Sequence, residues 1–297
     1  MAKILVGITS WTEPTLIESG RFYPEEARSA EARLKFYASR FPIVEVDSTY
    51  YALPAQRTSG LWAERTPAGF IFDVKAFRLF TQHPTPLAAL PKDLREAIPG
   101  KLKEKRNLYY HDLPGETTNE LWKRFESRLL PLDSAGKLGV VLFQFPHWFY
   151  PGNERRDYIL SCKDRLPQYT LAIEFRHGSW VNEKNRERTM AFLTDNGLPF
   201  VCVDEPQGTR ASVPSVVEGT AQIGVIRFHG RNRENWEKKG ISTAERFNYL
   251  YSDNELRSWL PGIKQLASKT QQLHVLFNNC YADKAVVNAS QIKLLLD

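Results

Sequence analysis

Short apolar runs recur along the chain at a regular spacing. Eight of them are rich in β-branched and aromatic residues and bounded by turn formers: Ile4–Thr9, Ile43–Ser48, Phe70–Ala76, Gly139–Phe145, Thr170–Arg176, Phe200–Asp204, Gly224–His229 and Leu273–Asn279. Such runs predict strands. Between most of them the apolar spacing changes to that of a helix face. Leu34, Tyr37, Ala38 and Phe41 fall at i, i+3, i+4 and i+7, and Leu121, Trp122, Phe125 and Leu129 form a similar stripe, as do Tyr158, Ile159, Cys162 and Leu166. A helix through Phe192 and Leu193 is expected to stop at Asn196-Gly197. Ser252 and Glu255 have the spacing of a capping box ahead of Leu256, Trp259 and Leu260, and Pro261 is expected to kink or end that helix. The sixth connection, around Val213–Gly219, is too short and proline-broken for a full helix.

Strands that alternate with helices pair in parallel, and eight such units predict a closed (β/α)8 barrel. The chain is read as one domain, residues 1–297, with a long insertion after the third strand (77–137) and an imperfect sixth unit. The insertion carries the basic run Lys101–Arg106 and is expected to be either a lid or a solvated excursion. Within the strands, alternate positions differ. One set is apolar, for example Val44 and Val46, or Ile226 and Phe228. The other turns polar towards the C-terminal end: Glu45 and Asp47, Asp73 and Lys75, Gln144, Glu174 and Arg176, Asp204, Arg227 and His229, and Asn278. A barrel accounts for this if the apolar faces pack under helices and the mixed faces point inward. The polar residues then collect at the strand C-termini, where barrel active sites lie.

Composition changes this picture little. The 297 residues carry a net charge of +6, with a pI near 9.1. That permits an anionic ligand or nucleic acid without requiring either. Three cysteines with no Cys-x-x-Cys spacing argue against a disulfide framework or a structural zinc site. The first apolar run is too short for a signal-peptide core, and no stretch approaches the ~20 apolar residues of a membrane span. A cytoplasmic protein with no membrane association is expected. Glycine-rich nucleotide loops, His-Glu-x-x-His and Gly-x-Ser-x-Gly are all absent, so the motifs name no cofactor.

Several strand-end motifs occur together in order. They include Gly7-Ile8-Thr9-Ser10-Trp11, Val44-Glu45-Val46-Asp47-Ser48-Thr49-Tyr50-Tyr51 and Phe72-Asp73-Val74-Lys75-Ala76. Further on come Gln144-Phe145-Pro146, Glu174-Phe175-Arg176-His177-Gly178-Ser179-Trp180, Val203-Asp204-Glu205-Pro206, Arg227-Phe228-His229-Gly230 and Phe277-Asn278-Asn279. By these the chain resembles the YecE-like family, a domain of unknown function, over nearly its whole length. The resemblance implies a barrel and brings no settled reaction. Gly178 stands where that pattern usually has proline, which predicts a looser loop; Asp47 replaces the usual Asn and Cys280 a common His.

The residues themselves suggest roles. Glu45, Glu174 and Asp204 could act as general acid or base, with His229 as proton shuttle near neutral pH. Arg176, Arg227 and Lys75 could grip a phosphate or carboxylate. Gln144, Asn278 and Asn279 could add hydrogen bonds, and Trp11 and Trp180 aromatic walls. Asp73 and Asp47 are expected to be structural. The leading expectation is an enzyme acting on a small polar anion, such as a phosphorylated sugar or nucleotide-like molecule. A metal-dependent hydrolase or nuclease, and a binding protein without catalysis, are the alternatives. No residue is assigned to a metal.

Overall fold

The computed structural model describes residues 2–209 and 212–296; the ends of the expected domain, residues 1 and 297, lie outside them, as do residues 210 and 211. The eight barrel strands are β1 (Lys3–Thr9), β2 (Ile43–Val46), β3 (Ile71–Lys75), β4 (Leu138–Gln144), β5 (Leu171–Glu174), β6 (Val201–Asp204), β7 (Ile223–Phe228) and β8 (Gln272–Phe277). They form one parallel sheet in the order β5-β4-β3-β2-β1-β8-β7-β6. Its two edge strands meet through a single parallel bridge, Ile173 to Phe200, in which the Ile173 amide donates to the Pro199 carbonyl at 2.8 Å. The expected barrel is therefore present, with a narrow seam between β5 and β6.

Helices cover the outside where the stripes predicted them. Ala30–Arg40, Thr58–Glu64, Gly115–Ser134, Asn153–Arg165, Arg186–Asp195, Asp253–Lys269 and Lys284–Leu296 fill the connections and the C-terminal end. Between β6 and β7 no helix occurs among the described residues, so the sixth unit is incomplete as expected. Ser252 and Glu255 make both bonds of the capping box. Pro261 does not end its helix, which runs on to Lys269. Leu256, Trp259, Ile263 and Leu266 bury one continuous face across the proline, and that packing offsets the ~3 kcal/mol a helix-interior proline costs. No helix among the described residues is long and apolar enough to cross a membrane.

The insertion after β3 packs its apolar residues into the main core of the barrel. Phe77, Leu79, Phe80, Leu90, Ile98, Leu108 and Leu113 are buried in it. It holds a two-residue antiparallel pairing, Thr85–Pro86 with Asn107–Leu108, and two short helices, Lys92–Ala97 and Gly100–Lys103, before the barrel helix Gly115–Ser134.

Register fixes which side chains enter the barrel, because laterally paired residues in a parallel sheet point to the same face. Leu5, Ile43, Ile71 and Leu276 form a separate apolar cluster inside the barrel. Polar residues pack against this cluster. Asp73 accepts from His274 Nδ1 at 2.8 Å and from the Val140 amide at 2.9 Å. The β3–β4 register shifts at this level, and a side chain at Gly139 would put its Cβ 2.2 Å from Asp73 Oδ1. Asp73 is thus a structural acid, as expected.

Candidate functional site

Arg227 of β7, paired with Leu276 on β8, gathers the acids. Its Nε and Nη2 donate to the two oxygens of Glu45 at 2.8 and 2.7 Å, and its Nη1 donates to Glu174 Oε2. All three side chains are fully buried. The strands bring them together because Glu45 lies level with Asp73 on β3, while Gln144 and Glu174 are paired across β4 and β5. Burial pushes the Glu45 carboxyl up, against the pull of Arg227. Burial also acts to raise Glu174, but Arg227, the contact with His229 and then Arg176 hold it well below the usual carboxylate range. Two carboxylates on one guanidinium form a charge-assisted, geometrically fixed cluster.

His229 leans on the same acid. Its Nε2 lies 3.1 Å from Glu174 Oε1, and Asn278 Nδ2 lies 2.9 Å from its Nδ1. An amide nitrogen only donates, so Nδ1 is the acceptor and Nε2 carries the proton donated to Glu174. Burial, aided by Arg176, pushes the histidine down to about 3. It is a neutral imidazole at physiological pH with both nitrogens occupied. This arrangement suits an orienting group and not the proton shuttle the sequence suggested.

A cleft of about 730 Å³ opens beside this cluster. Gln144 and Arg176 form its floor, with Glu205, His83 and His147 around them. Trp148, Tyr150 and Trp236 supply aromatic walls, and Lys238, Lys239 and Arg246 add positive charge at the rim. The Arg176 guanidinium lies 4.9 Å from the Trp236 ring centre and is 3.3 Å from Glu174 and 3.4 Å from Glu205. Glu205 accepts from the Val213 amide through Oε1 at 2.8 Å, while its Oε2 has no hydrogen-bond partner. Burial raises this carboxyl above its ordinary value, with Arg176 opposing.

The predicted site residues divide sharply on this geometry. Glu45, Glu174, Arg227, His229, Gln144, Arg176 and Asn278 are brought together. Lys75 stands at the same mouth, with its ammonium 4.7 Å from the Tyr50 ring centre. Asp204 is elsewhere. Val203 is paired with Arg227 and Asp204 with Phe228, so Val201 and Val203 face inward and Asp204 faces the helices. There it accepts from Trp259 Nε1 at 2.7 Å, Tyr251 at 2.8 Å and Arg231 at 2.6 Å. Trp11 packs edge-on against Trp62 and Phe72, and Trp180 stacks on Phe175 while donating to the Phe149 carbonyl. Asn279 donates to Asn288 and to the Tyr249 carbonyl. These four are structural side chains outside the cleft. The loop at Gly178 is not loose either, since a Cβ there would lie 2.3 Å from the Ser212 carbonyl oxygen.

Glu205, His83, His147 and the rim cations escaped the sequence reading. For Glu205 the signal existed: alternation puts it on the face of Val203 once that face is known to be the inner one. No three His, Cys, Asp or Glu side chains stand together to hold a metal ion among the described residues.

A closed parallel barrel with an ionic cluster in its mouth and a basic, aromatic-walled cleft beside it defines the class of molecule. The chain belongs to the family described as "Protein of unknown function DUF72", whose sequence profile matches residues 5–297. It is 33% identical over 298 residues to UPF0759 protein YunF of Bacillus subtilis, covering 99% of this chain and 95% of the relative. It is 24% identical over 253 residues to UPF0759 protein YecE of Escherichia coli, covering 78% and 77%. The crystal structure of a DUF72 family protein from Thermotoga maritima matches with a TM-score of 0.73 at 30% identity over 99% of both chains. One from Enterococcus faecalis matches with a TM-score of 0.78 at 25% identity, over 99% of this chain and 95% of the other.

Proposed function

We propose that the protein is an enzyme acting on a small polar anion, of the phosphorylated-sugar or nucleotide type, bound in the cleft over Arg176. The observation that carries this reading is the charge and shape of the cleft. Four cations, Arg176, Lys238, Lys239 and Arg246, face two acids, Glu205 and Glu237, between aromatic walls. A guanidinium gripping an oxyanion from such a floor is a strong and directional contact. Aromatic faces suit a sugar or base attached to that anion.

In this reading Arg176 binds the anion and Glu205 moves the proton. A carboxyl raised by burial, with one oxygen held only by the ion pair to Arg176, is suited to general acid or base work. Glu45, Glu174, Arg227 and His229 act behind it as the rigid support that holds Arg176 in place. Such preorganisation keeps the cationic floor from reorganising when charge develops on the ligand.

Calorimetric titration with inorganic phosphate and a phosphorylated sugar tests this. Saturable binding is expected, weakened about 10- to 100-fold by Arg176→Ala, the loss expected for a charged hydrogen bond. Glu205→Gln should keep binding and lose turnover. Undiminished binding in Arg176→Ala would overturn the reading.

A further inference from the structure

Lys137 and Lys75 differ in a telling way. Lys137 is fully provided for. Its Nζ donates to the Ala63 and Thr66 carbonyls, each at 2.6 Å, and to the Thr66 hydroxyl at 3.1 Å. Lys75, at the C-terminal end of β3, makes no ion pair or hydrogen bond of that kind among the described residues. Its Nζ sits over the Tyr50 ring, and the residue as a whole is half-buried. Arg227 and Arg176 have each taken a carboxylate, whereas Lys75 has not.

Its position connects it to the cleft from two sides. Lys75 is paired with Leu142 on β4, two residues before Gln144 on the same face, and Gln144 lines the cleft. On the other side the Tyr50 ring meets His83 edge-on with centres 5.3 Å apart, and His83 lines the cleft as well. Arg227 beside the ammonium disfavours its protonated form, while Glu45, Glu174 and Asp47 favour it.

We propose that Lys75 is a nucleophilic amine that condenses with the carbonyl group of an anionic aldehyde or ketone held in the cleft. This rests on the reading of the cleft as an anion site and adds the substrate's second functional group. Burial first, and then Arg227, lowers the lysine below its ordinary value, which enlarges the free-amine fraction. In the reaction the Nζ lone pair forms a C–N bond to the carbonyl carbon, giving a carbinolamine. The C–O bond then breaks and the oxygen leaves as water. Both protons of that water's account come from the nitrogen: one moves to oxygen in the addition, the second in the elimination, and a C=N double bond remains. Asp47 is near enough to act on the amine electrostatically, and its side chain makes no cap bond to the short helix that it precedes. Nothing is oxidised or reduced.

The test uses pyridoxal 5′-phosphate as an anionic aldehyde and pyridoxal as its counterpart without phosphate. Each is added to the full-length protein, reduced with borohydride, and mapped by peptide mass spectrometry. Lys75 is expected to be labelled several-fold faster than the surface lysines, because more of it is free amine. Inorganic phosphate should suppress that labelling, and pyridoxal should label more slowly. Lys75→Arg, which keeps the charge, should abolish the fast-labelled site. Fast labelling of Lys75 by both aldehydes, unaffected by phosphate, would keep the amine and discard the anion cleft. Phosphate-sensitive binding of the probe with no adduct on Lys75 would overturn the proposal and leave the cleft. Labelling no faster than at surface lysines, without any phosphate effect, would overturn both.

Discussion

His229 shows how one buried side chain sets a property of the whole protein. Its imidazole is neutral because Glu174 and Asn278 occupy both nitrogens inside a sealed layer, and burial holds it at about 3. The unfolded chain would protonate the same ring near the ordinary histidine value of 6.5. Between those values the unfolded state binds the extra proton, so stability is present above pH 6.5 and is lost as the pH falls. His83, also pushed down to about 3 by burial, acts in the same direction. Each histidine contributes a slope of at most about 1.4 kcal/mol per pH unit. Glu174, held low, adds to the loss at the acid end, whereas Glu45, pushed up, opposes it. Urea unfolding from pH 7 to pH 4 should therefore show a falling midpoint, and His229→Asn should flatten the fall. An unchanged slope in that variant would show that His229 is charged in the native state. None of this is legible from a strand-end histidine alone. The sequence marks a titratable residue in the right place; only the partners on β5 and β8 reveal that it does not titrate near neutrality.

Strands carry a different lesson, because their alternation identifies two faces without naming the inner one. For β2, β4, β5 and β7 the polar residues mark the inside, and Glu45, Gln144, Glu174 and Arg227 meet there. The same rule fails at β6. Its inner face is Val201 and Val203, and its acid, Asp204, serves the helix layer by holding Trp259, Tyr251 and Arg231. A pattern of alternate polarity cannot separate an acid that faces a pocket from one that fastens an outer helix. It also cannot register a bulge. At the β3–β4 shift, Gly139 leaves room for Asp73 and His274, with Ile71 also close. Gly139→Ala should cost about 1–3 kcal/mol through forced displacement of that pair. Thermal or urea unfolding measures it, and a variant as stable as the parent would show that the strand yields without strain. The helices were legible because caps and stripes are local signals, whereas Pro261 misled because the face it interrupts is buried continuously.

For the molecule as a whole, the outline of the barrel and its incomplete sixth unit follow from the order of strands and helices, but the location of the cleft does not. It lies to one side of the mouth, over β4, β5 and the loops after β6 and β7, because the ionic cluster has filled the centre. This places it across the seam. The edge strands share a single bridge, and the Phe200 amide turns to the Thr220 hydroxyl instead of a strand carbonyl, at 2.8 Å. Arg176 and Glu205, just beyond the ends of β5 and β6, meet over that sparse join at 3.4 Å. A cylinder fastened thinly along one line breathes along that line, and regions with few backbone hydrogen bonds open at the lowest free energy. In native-state deuterium exchange, amides of β5 and β6 along the join should lose protection before those of β1 and β8, and phosphate should slow them selectively. Equal protection around the cylinder would deny the seam any special part. If the difference is found, a ligand seated between Arg176 and Glu205 serves as the missing stave of the barrel, and occupancy of the cleft becomes measurable as the tightness of its wall.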